Sequence, residues 1–263
     1  MANDMKEDVM KADYKNWVPK GMVMGTLAVT CVLLVITMIL GISSVPGIVF
    51  LVLTVLSAVG TLWTFMMHKA FSYDGTRQMS RQIIEGVSSY VKIPADGKCL
   101  DVGCGSGALS IACAKKNPGA QIIGIDRWGK EYASFSKKLC ESNSAAEGVN
   151  NTSFRQGDAC KLDFDDESFD AVTSNYVYHN IPSKDRQEIL LETLRTLKKG
   201  GTFAIHDIMS KAKYGDMESF VKKLKDMGYE EVKLVDTTKG MFMSKWESTW
   251  MGLTGSAILM GRK

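Results

Sequence analysis

An apolar two-helix hairpin followed by an α/β domain with a doubly wound, mostly parallel sheet is the fold this sequence predicts. Three features predict it. Between Lys20 and His68 lie 47 consecutive residues with no Asp, Glu, Lys or Arg. From Ser72 onward, strand-like apolar runs alternate with helix-length amphipathic segments. The first of these runs, "KCLDVG", opens into glycines at 103, 105 and 107, as expected where the C-terminal end of a strand meets a ligand.

The uncharged stretch comes first. As one helix it would be about 70 Å long, more than twice the roughly 30 Å hydrocarbon thickness of a bilayer, so it must fold back. The break is "GISSVPG", residues 41–47, which leaves helices at 21–40 and 47–67. A cleaved signal peptide would have one apolar region of about 7 to 15 residues and no second span. A buried helix pair of a soluble protein is the other alternative, and the complete lack of charge argues against it. The turn is uncharged, whereas Lys11, Lys15 and Lys20 precede the first helix and Lys69, Arg77 and Arg81 follow the second. Lysine and arginine favour the cytoplasmic side, so the sequence predicts two spans of the cell membrane with the 1–20 segment and the C-terminal domain both cytoplasmic. Trp17 and Trp63 then fall near one interface, and Gly21 and Gly25 offer a close helix approach.

A connecting helix is expected within 68–93, where Met79, Ile83, Ile84 and Val87 fall at helical spacing. Pro94 and Gly97 end it, and the α/β domain occupies 94–263. Its first strand is "KCLDVG", followed by the helix "ALSIACAKKNPG" and the strand "AQIIGID". The helix "KEYASFSKKLCESNSAAEG" leads to a third strand, "TSFRQGDA". The fourth strand, "FDAVTSNYVY", precedes the helix "KDRQEILLETLRTLKKG", whose closing lysines suit the negative end of its dipole. "GTFAIHDI" is the fifth strand, "DMESFVKKLKDMGY" a helix, and "EEVKLVDT" and "LTGSAILMGR" the last two strands.

Composition excludes several classes. The six cysteines show no CxxC pair and no histidines at zinc spacing, so no metal site is expected and the thiols fit a reducing compartment. The net charge of +3 is spread without a long basic block, so no nucleic-acid surface is expected.

The glycine loop has three candidate ligands. A phosphate-gripping loop needs GxxxxGK(S/T), which is absent. A dinucleotide fingerprint is matched by Gly103, Gly105 and Ala108, with Asp126 near the spacing of a ribose carboxylate. Asp101 tips the balance. It stands two positions before the first glycine, where a carboxylate opposes a pyrophosphate and favours a ligand carrying an ammonium and a sulfonium.

"CLDVGCGSGA" resembles the first motif of the class I S-adenosylmethionine-dependent methyltransferases. The resemblance continues through "GIDRWG", "RQGDA", "FDAVTSNYVYHNI" and "LKKGGTFAIHDI", covering about residues 73–263. It implies a Rossmann-like seven-stranded sheet, order 3-2-1-4-5-7-6, with the last strand antiparallel, and S-adenosylmethionine as the cofactor. It implies further that Asp101, Gly103, Gly105 and Gly107 surround the methionine portion and that Asp126 holds the ribose hydroxyls. Trp128 would lie on adenine or else be a packing aromatic; Asp158 and the Ala159 amide would meet the adenine edge; Asn175 would contact the amino acid portion.

Methyl transfer requires a nucleophile held about 3 to 3.5 Å from the methyl carbon and water excluded. Where the nucleophile is a thiol or hydroxyl, a neutral imidazole can take its proton. His179, just after the fourth strand, is the first candidate. His206, beside Asp207 at the end of the fifth strand, is the second, and for both the alternative is a hydrogen-bonded structural histidine. The resemblance further implies that the segment before the first strand covers the site, so Tyr73 and Tyr178 would close the pocket or else be core or surface tyrosines, and that the Met-, Phe- and Trp-rich stretch 239–252 lies near the substrate or else packs on the sheet. No Asn/Asp/Ser-Pro-Pro-Tyr/Phe motif and no Pro-Cys nucleophile is present, which disfavours nucleic-acid methylation. The expected acceptor is therefore a small, lipophilic molecule such as a quinol, phenol, thiol, amine or lipid, partitioning from the bilayer that holds residues 21–67. The alternatives are a membrane-anchored NAD(P)-dependent oxidoreductase and a non-catalytic S-adenosylmethionine-binding protein.

Overall fold

The computed structural model of the protein describes residues 11–129, 134–183 and 185–263. The first half of the 1–20 segment, and the starts of the two helices expected from 130 and 184, lie outside the described residues. The chain forms two compact units: Lys15–Arg81 is one, and the residues before it together with Gln82–Lys263 are the other.

In the first unit, α1 (Lys20–Leu40) and α2 (Val45–Phe71) are each long and apolar enough to cross a membrane. Their 21 and 27 residues reach about 30 and 40 Å. Burial is inverted relative to a water-soluble helix pair. Val29, Val32, Val35 and Ile39 of α1 and Val52, Leu56, Val59 and Leu62 of α2 are exposed, whereas the buried residues include Thr37, Thr54 and Thr64. The helices meet along a seam of hydroxyls: Thr26 with Thr64 at 3.2 Å, Thr30 with Ser57 at 2.7 Å and Thr61 at 3.0 Å, and Thr37 with Thr54 at 3.1 Å. Nothing lies within 4 Å of a Cβ built on Gly21 or Gly25, so the expected glycine contact is not what joins the helices.

The turn is shorter than expected. Pro46 begins α2 instead of breaking the chain, because proline's missing N–H costs nothing in the first turn, and Ser44 caps the helix by accepting from the Gly47 amide at 3.1 Å. The helix also runs four residues past Met67, with His68 and Lys69 at the negative end of its dipole.

The second unit is built on seven strands: β1 (Lys98–Val102), β2 (Gln121–Asp126), β3 (Thr152–Gln156), β4 (Phe169–Asn175), β5 (Leu197–Ile208), β6 (Glu231–Asp236) and β7 (Ser256–Arg262). Their order is β3-β2-β1-β4-β5-β7-β6, with β7 antiparallel to both neighbours and every other pair parallel. This is the order the resemblance implies. The intervening helices are α3 (Met79–Ser88, which carries the boundary between the units), α4 (Ala108–Lys116), α5 (Lys137–Ala146), α6 (Arg186–Arg195), α7 (Lys211–Tyr214), α8 (Met217–Asp226) and α9 (Lys245–Trp250). On one face of the sheet, Leu100, Val172, Phe203 and Ile205 pack with Leu190 and Leu194 of α6 and Phe220 and Leu224 of α8.

Two boundaries differ from the sequence expectation. Helix α6 ends at Arg195, and "LKKG", read as its C-terminus, is the start of β5: Leu197 pairs with Phe169, and Lys198 holds Asp170 at 2.8 Å. Strand β4 stops at Asn175, because Tyr176 takes a left-handed conformation at φ +55 and a 3-10 turn, Tyr178–Asn180, follows. That early stop places the residues after Asn175 above the sheet edge, where the parallel strands β1, β2, β3 and β4 also end.

Candidate active site

The chain leaves β1 through three left-handed glycines: Gly103 at φ +74, Gly105 at +56 and Gly107 at +83. Glycine adopts this conformation without steric penalty. The turn is pinned by the Gly103 and Cys104 amides, which both donate to the Ile125 carbonyl at 2.8 and 3.0 Å, and it ends at the N-terminus of α4, which no side chain caps and whose dipole favours an anionic group. A Cβ on Gly103 would sit 2.2 Å from Val177 Cγ2. Gly103→Ala therefore combines backbone strain with a clash, and a destabilisation of about 2–4 kcal/mol is expected, seen as a lowered Tm together with lost donor binding. A Tm equal to wild type would contradict the packing described here.

Asp101 lies beneath this loop at 1% exposure. Ser110 Oγ donates to its Oδ2 at 2.6 Å and Thr173 Oγ1 to its Oδ1 at 3.2 Å. Burial raises its pKa to about 6 despite the two hydroxyls, which pull it down. Asp126, at the end of β2, braces the loop from the other side. It accepts from the Gly105 amide at 2.9 Å and the Trp128 amide at 2.8 Å, while the Trp128 indole N–H donates to the Gly105 carbonyl at 3.0 Å. Trp128 is partly buried and packs with Cys104, Cys140 and Phe154. The Gly157 amide donates to the Asp126 carbonyl at 3.0 Å, which sets the following Asp158 and Ala159 beside the same edge; Asp158 is exposed and accepts from the Cys160 amide at 2.9 Å, and Ala159 is buried.

Proton-handling groups gather at the ends of β4 and β5. His179 donates its backbone N–H to Asp207 Oδ2 at 3.1 Å, and its Nδ1 bonds Asp207 Oδ1. Asp207 is fully buried and also accepts from Tyr214 Oη at 2.9 Å and the Ile208 amide at 2.6 Å. Burial pushes its pKa upward, but the His179 and Tyr214 bonds outweigh it and the net shift is downward. An ionised Asp207 accepts a hydrogen bond from Nδ1–H and so leaves Nε2 as the unprotonated nitrogen of a neutral His179. His206 differs. It is buried with both ring nitrogens engaged, Nδ1 by Asn175 Oδ1 at 2.8 Å and Nε2 by Thr237 Oγ1 at 3.0 Å. Burial lowers its pKa to about 3, so it is a neutral structural group that orients Asn175.

Tyr178 is a correction. It does not line the pocket: its side chain is fully buried in the main core, with its hydroxyl on Thr193 at 2.9 Å, because the 3-10 turn rotates it inward. The tyrosine at the sheet edge is Tyr176, which the sequence reading passed over. Its ring stacks edge-on against His206 at 4.6 Å and His179 at 5.9 Å, and Phe242 meets His206 at 5.3 Å, giving a row of aromatic rings. Tyr73 belongs to the other unit, where the Arg81 guanidinium lies 5.9 Å from its ring centroid. In the 239–252 stretch Phe242, Met243 and Met251 are buried, whereas Met241 and Trp246 are exposed. Tyr214 was not singled out in the sequence either, since nothing local links it to Asp207.

Comparison with known proteins bears on the family and the fold. A demethylmenaquinone methyltransferase of Lactobacillus johnsonii is 36% identical over 116 residues, covering 44% of this chain and 45% of that enzyme. A 27-O-demethylrifamycin SV methyltransferase of Amycolatopsis mediterranei is 23% identical over 177 residues, covering 66% of this chain and 62% of that enzyme. The chain thus spans less than two thirds of the length of either. Among solved structures, the cyclase SpnF shares the fold at a TM-score of 0.55 with 18% identity, covering 73% of this chain and 85% of that one. A family model described as a methyltransferase domain matches residues 93–253, more than half of the sequence, and the chain belongs to that family.

Proposed function

We propose that this protein is a membrane-anchored S-adenosylmethionine-dependent methyltransferase acting on a small lipophilic acceptor with an ionisable O–H or S–H group. The observation that carries the reading is the buried Asp101 carboxylate beneath a loop of three left-handed glycines. A negative charge there favours a ligand whose amino acid end is cationic and opposes a pyrophosphate. S-adenosylmethionine, when bound, supplies an electrophilic methyl group on a sulfonium. Gly103, Gly105, Gly107 and Asn175 would hold its methionine end, Asp126 its ribose, and Asp158 with the Ala159 amide its adenine.

The chain's own part in the reaction is to position and deprotonate. His179 Nε2 accepts the acceptor's proton as the new bond to carbon forms, and the buried Asp207 carboxylate stabilises the resulting imidazolium. The aromatic row of Tyr176, His206 and Phe242 excludes water from that edge. The inverted burial of α1 and α2 supports a bilayer anchor, since so much exposed apolar surface is not tolerated in water, and the lysines and arginines at both ends support cytoplasmic termini.

The name of the Lactobacillus johnsonii relative supports a lipophilic quinol as the first acceptor to test. The full chain in lipid nanodiscs, given S-adenosylmethionine and matched pairs of thiols, phenols and quinols with and without an alkyl tail, is expected to release S-adenosylhomocysteine faster with the tailed member. Preference for the tailless compounds would sink the lipophilic-acceptor reading. A second reading, an NAD(P)-dependent oxidoreductase, is favoured by one observation, the match of Gly103, Gly105, Ala108 and Asp126 to the dinucleotide pattern. It predicts protection from heat by NADPH and none by S-adenosylhomocysteine.

A further inference from the structure

We infer that Arg186, together with Tyr214, is a positioning residue for the His179–Asp207 pair; this rests on the proposed role of that pair in proton transfer. Arg186 is the first residue of α6, and a cation at a helix N-terminus opposes the dipole. It does not cap the helix, because Asp185 does so by accepting from the Gln187 and Glu188 amides at 2.9 and 3.2 Å. Its side chain turns back onto the loop that carries His179. Nε donates to the Tyr178 carbonyl at 3.1 Å, Nη1 to Ser183 at 3.2 Å and Lys213 at 3.0 Å, and Nη2 to Ile181 at 2.9 Å and, most weakly, His179 at 3.5 Å.

Five N–H groups in a rigid plane thus meet five backbone carbonyls, four from the β4–α6 connection and one from α7. Helix α7 ends in Tyr214, whose hydroxyl donates to Asp207 Oδ2, the oxygen that also accepts the His179 backbone N–H. Gln187 Nε2 adds a second tie to α7 by donating to the Tyr214 carbonyl at 2.8 Å. The contacts close a circuit: Arg186 joins the two connections, and Asp207 receives His179 from one and Tyr214 from the other. The fork therefore sets the angle at which the imidazole meets Asp207 and, through it, which ring nitrogen carries the proton. Lysine keeps the charge but offers three donors from one point and cannot span these carbonyls.

The test is nitrogen NMR at about pH 8 on the full chain in micelles, labelled at its three histidines, with the His179 signals assigned by H179Q. Wild type is expected to show His179 as a single Nδ1–H tautomer. R186K is expected to show tautomer averaging, an S-adenosylhomocysteine affinity within about twofold of wild type, and a kcat at least tenfold lower with an unchanged KM for S-adenosylmethionine. A folded R186K with the wild-type tautomer pattern overturns the inference. Should R186K fail to fold, Y214F, which deletes one hydroxyl, is read by the same tautomer signature with the same two outcomes. If no acceptor is methylated by wild type, the proposed function fails, while the tautomer signature still decides the positioning role.

Discussion

Asp101→Asn is expected to weaken S-adenosylmethionine binding at least tenfold while stabilising the ligand-free protein at about pH 8 by about 1–3 kcal/mol. Both effects come from one buried charge. Burial raises the Asp101 pKa above its unfolded value to about 6, so this group's contribution to stability is fully present below about pH 4 and is lost as pH rises through 6. A shift of about two units corresponds to about 3 kcal/mol at most, reduced by local relaxation. Asparagine has nearly the same shape, can still bond Ser110 and Thr173, and does not ionise. The variant and wild type should therefore melt together near pH 4 and diverge between pH 4 and 6, with the variant several degrees more stable at pH 8. In the proposed function the same charge would attract the ammonium and sulfonium of the donor, and a tenfold loss of affinity is about 1.4 kcal/mol. Calorimetric titration reads the affinity and a melting series reads the stability. A variant that loses stability at pH 8 while binding the donor normally would show that Asp101 is merely structural.

Asp207→Asn is expected to lower turnover by about 10²–10³-fold with donor affinity unchanged. The ionised carboxylate accepts a hydrogen bond from Nδ1–H of His179 and is held in place by Tyr214 and the Ile208 amide. An asparagine amide would offer a donor at that position and favour the opposite tautomer, with the proton on Nε2 where the base is needed. His179→Gln should cost a similar factor, and the double variant little more, because residues acting as one unit are not additive. The comparison is made by S-adenosylhomocysteine release from the full chain under saturating donor. Full activity in either single variant would remove the proton-transfer role from this pair.

The strands and the glycine turn were legible in the sequence because local patterns encode them, and the strand order followed from the family resemblance. A strand, a glycine turn and a helix within about 20 residues specify the loop, and Asp126 follows at the end of the next strand. What escaped was non-local or depended on a single dihedral. Tyr176 and Tyr178 look equivalent in "SNYVYH", yet the left-handed turn at Tyr176 sends one to the sheet edge and the other into the core. The lysines of "LKKG" suit a helix C-terminus, but strand pairing of Leu197 with Phe169 prevailed over that local preference. Arg186 and Tyr214 reach their partners across 27 and 7 residues, through contacts that no periodicity announces. In the hairpin, the lack of charge and the Gly/Pro break at 41–47 located the helices. The hydroxyl seam, with Thr26, Thr30 and Thr37 facing Thr54, Ser57, Thr61 and Thr64, became visible only when the two were paired.

The most direct test of the central claim, that the glycine loop above Asp101 serves a sulfonium nucleoside, is calorimetric titration of the full chain in nanodiscs with S-adenosylmethionine, S-adenosylhomocysteine and NADPH. Saturable binding of S-adenosylmethionine and S-adenosylhomocysteine with a Kd at or below roughly 100 µM, about 5 kcal/mol or more of binding free energy, and no heat from NADPH, is the predicted result. Saturable binding of NADPH with none of either sulfur nucleoside would contradict it.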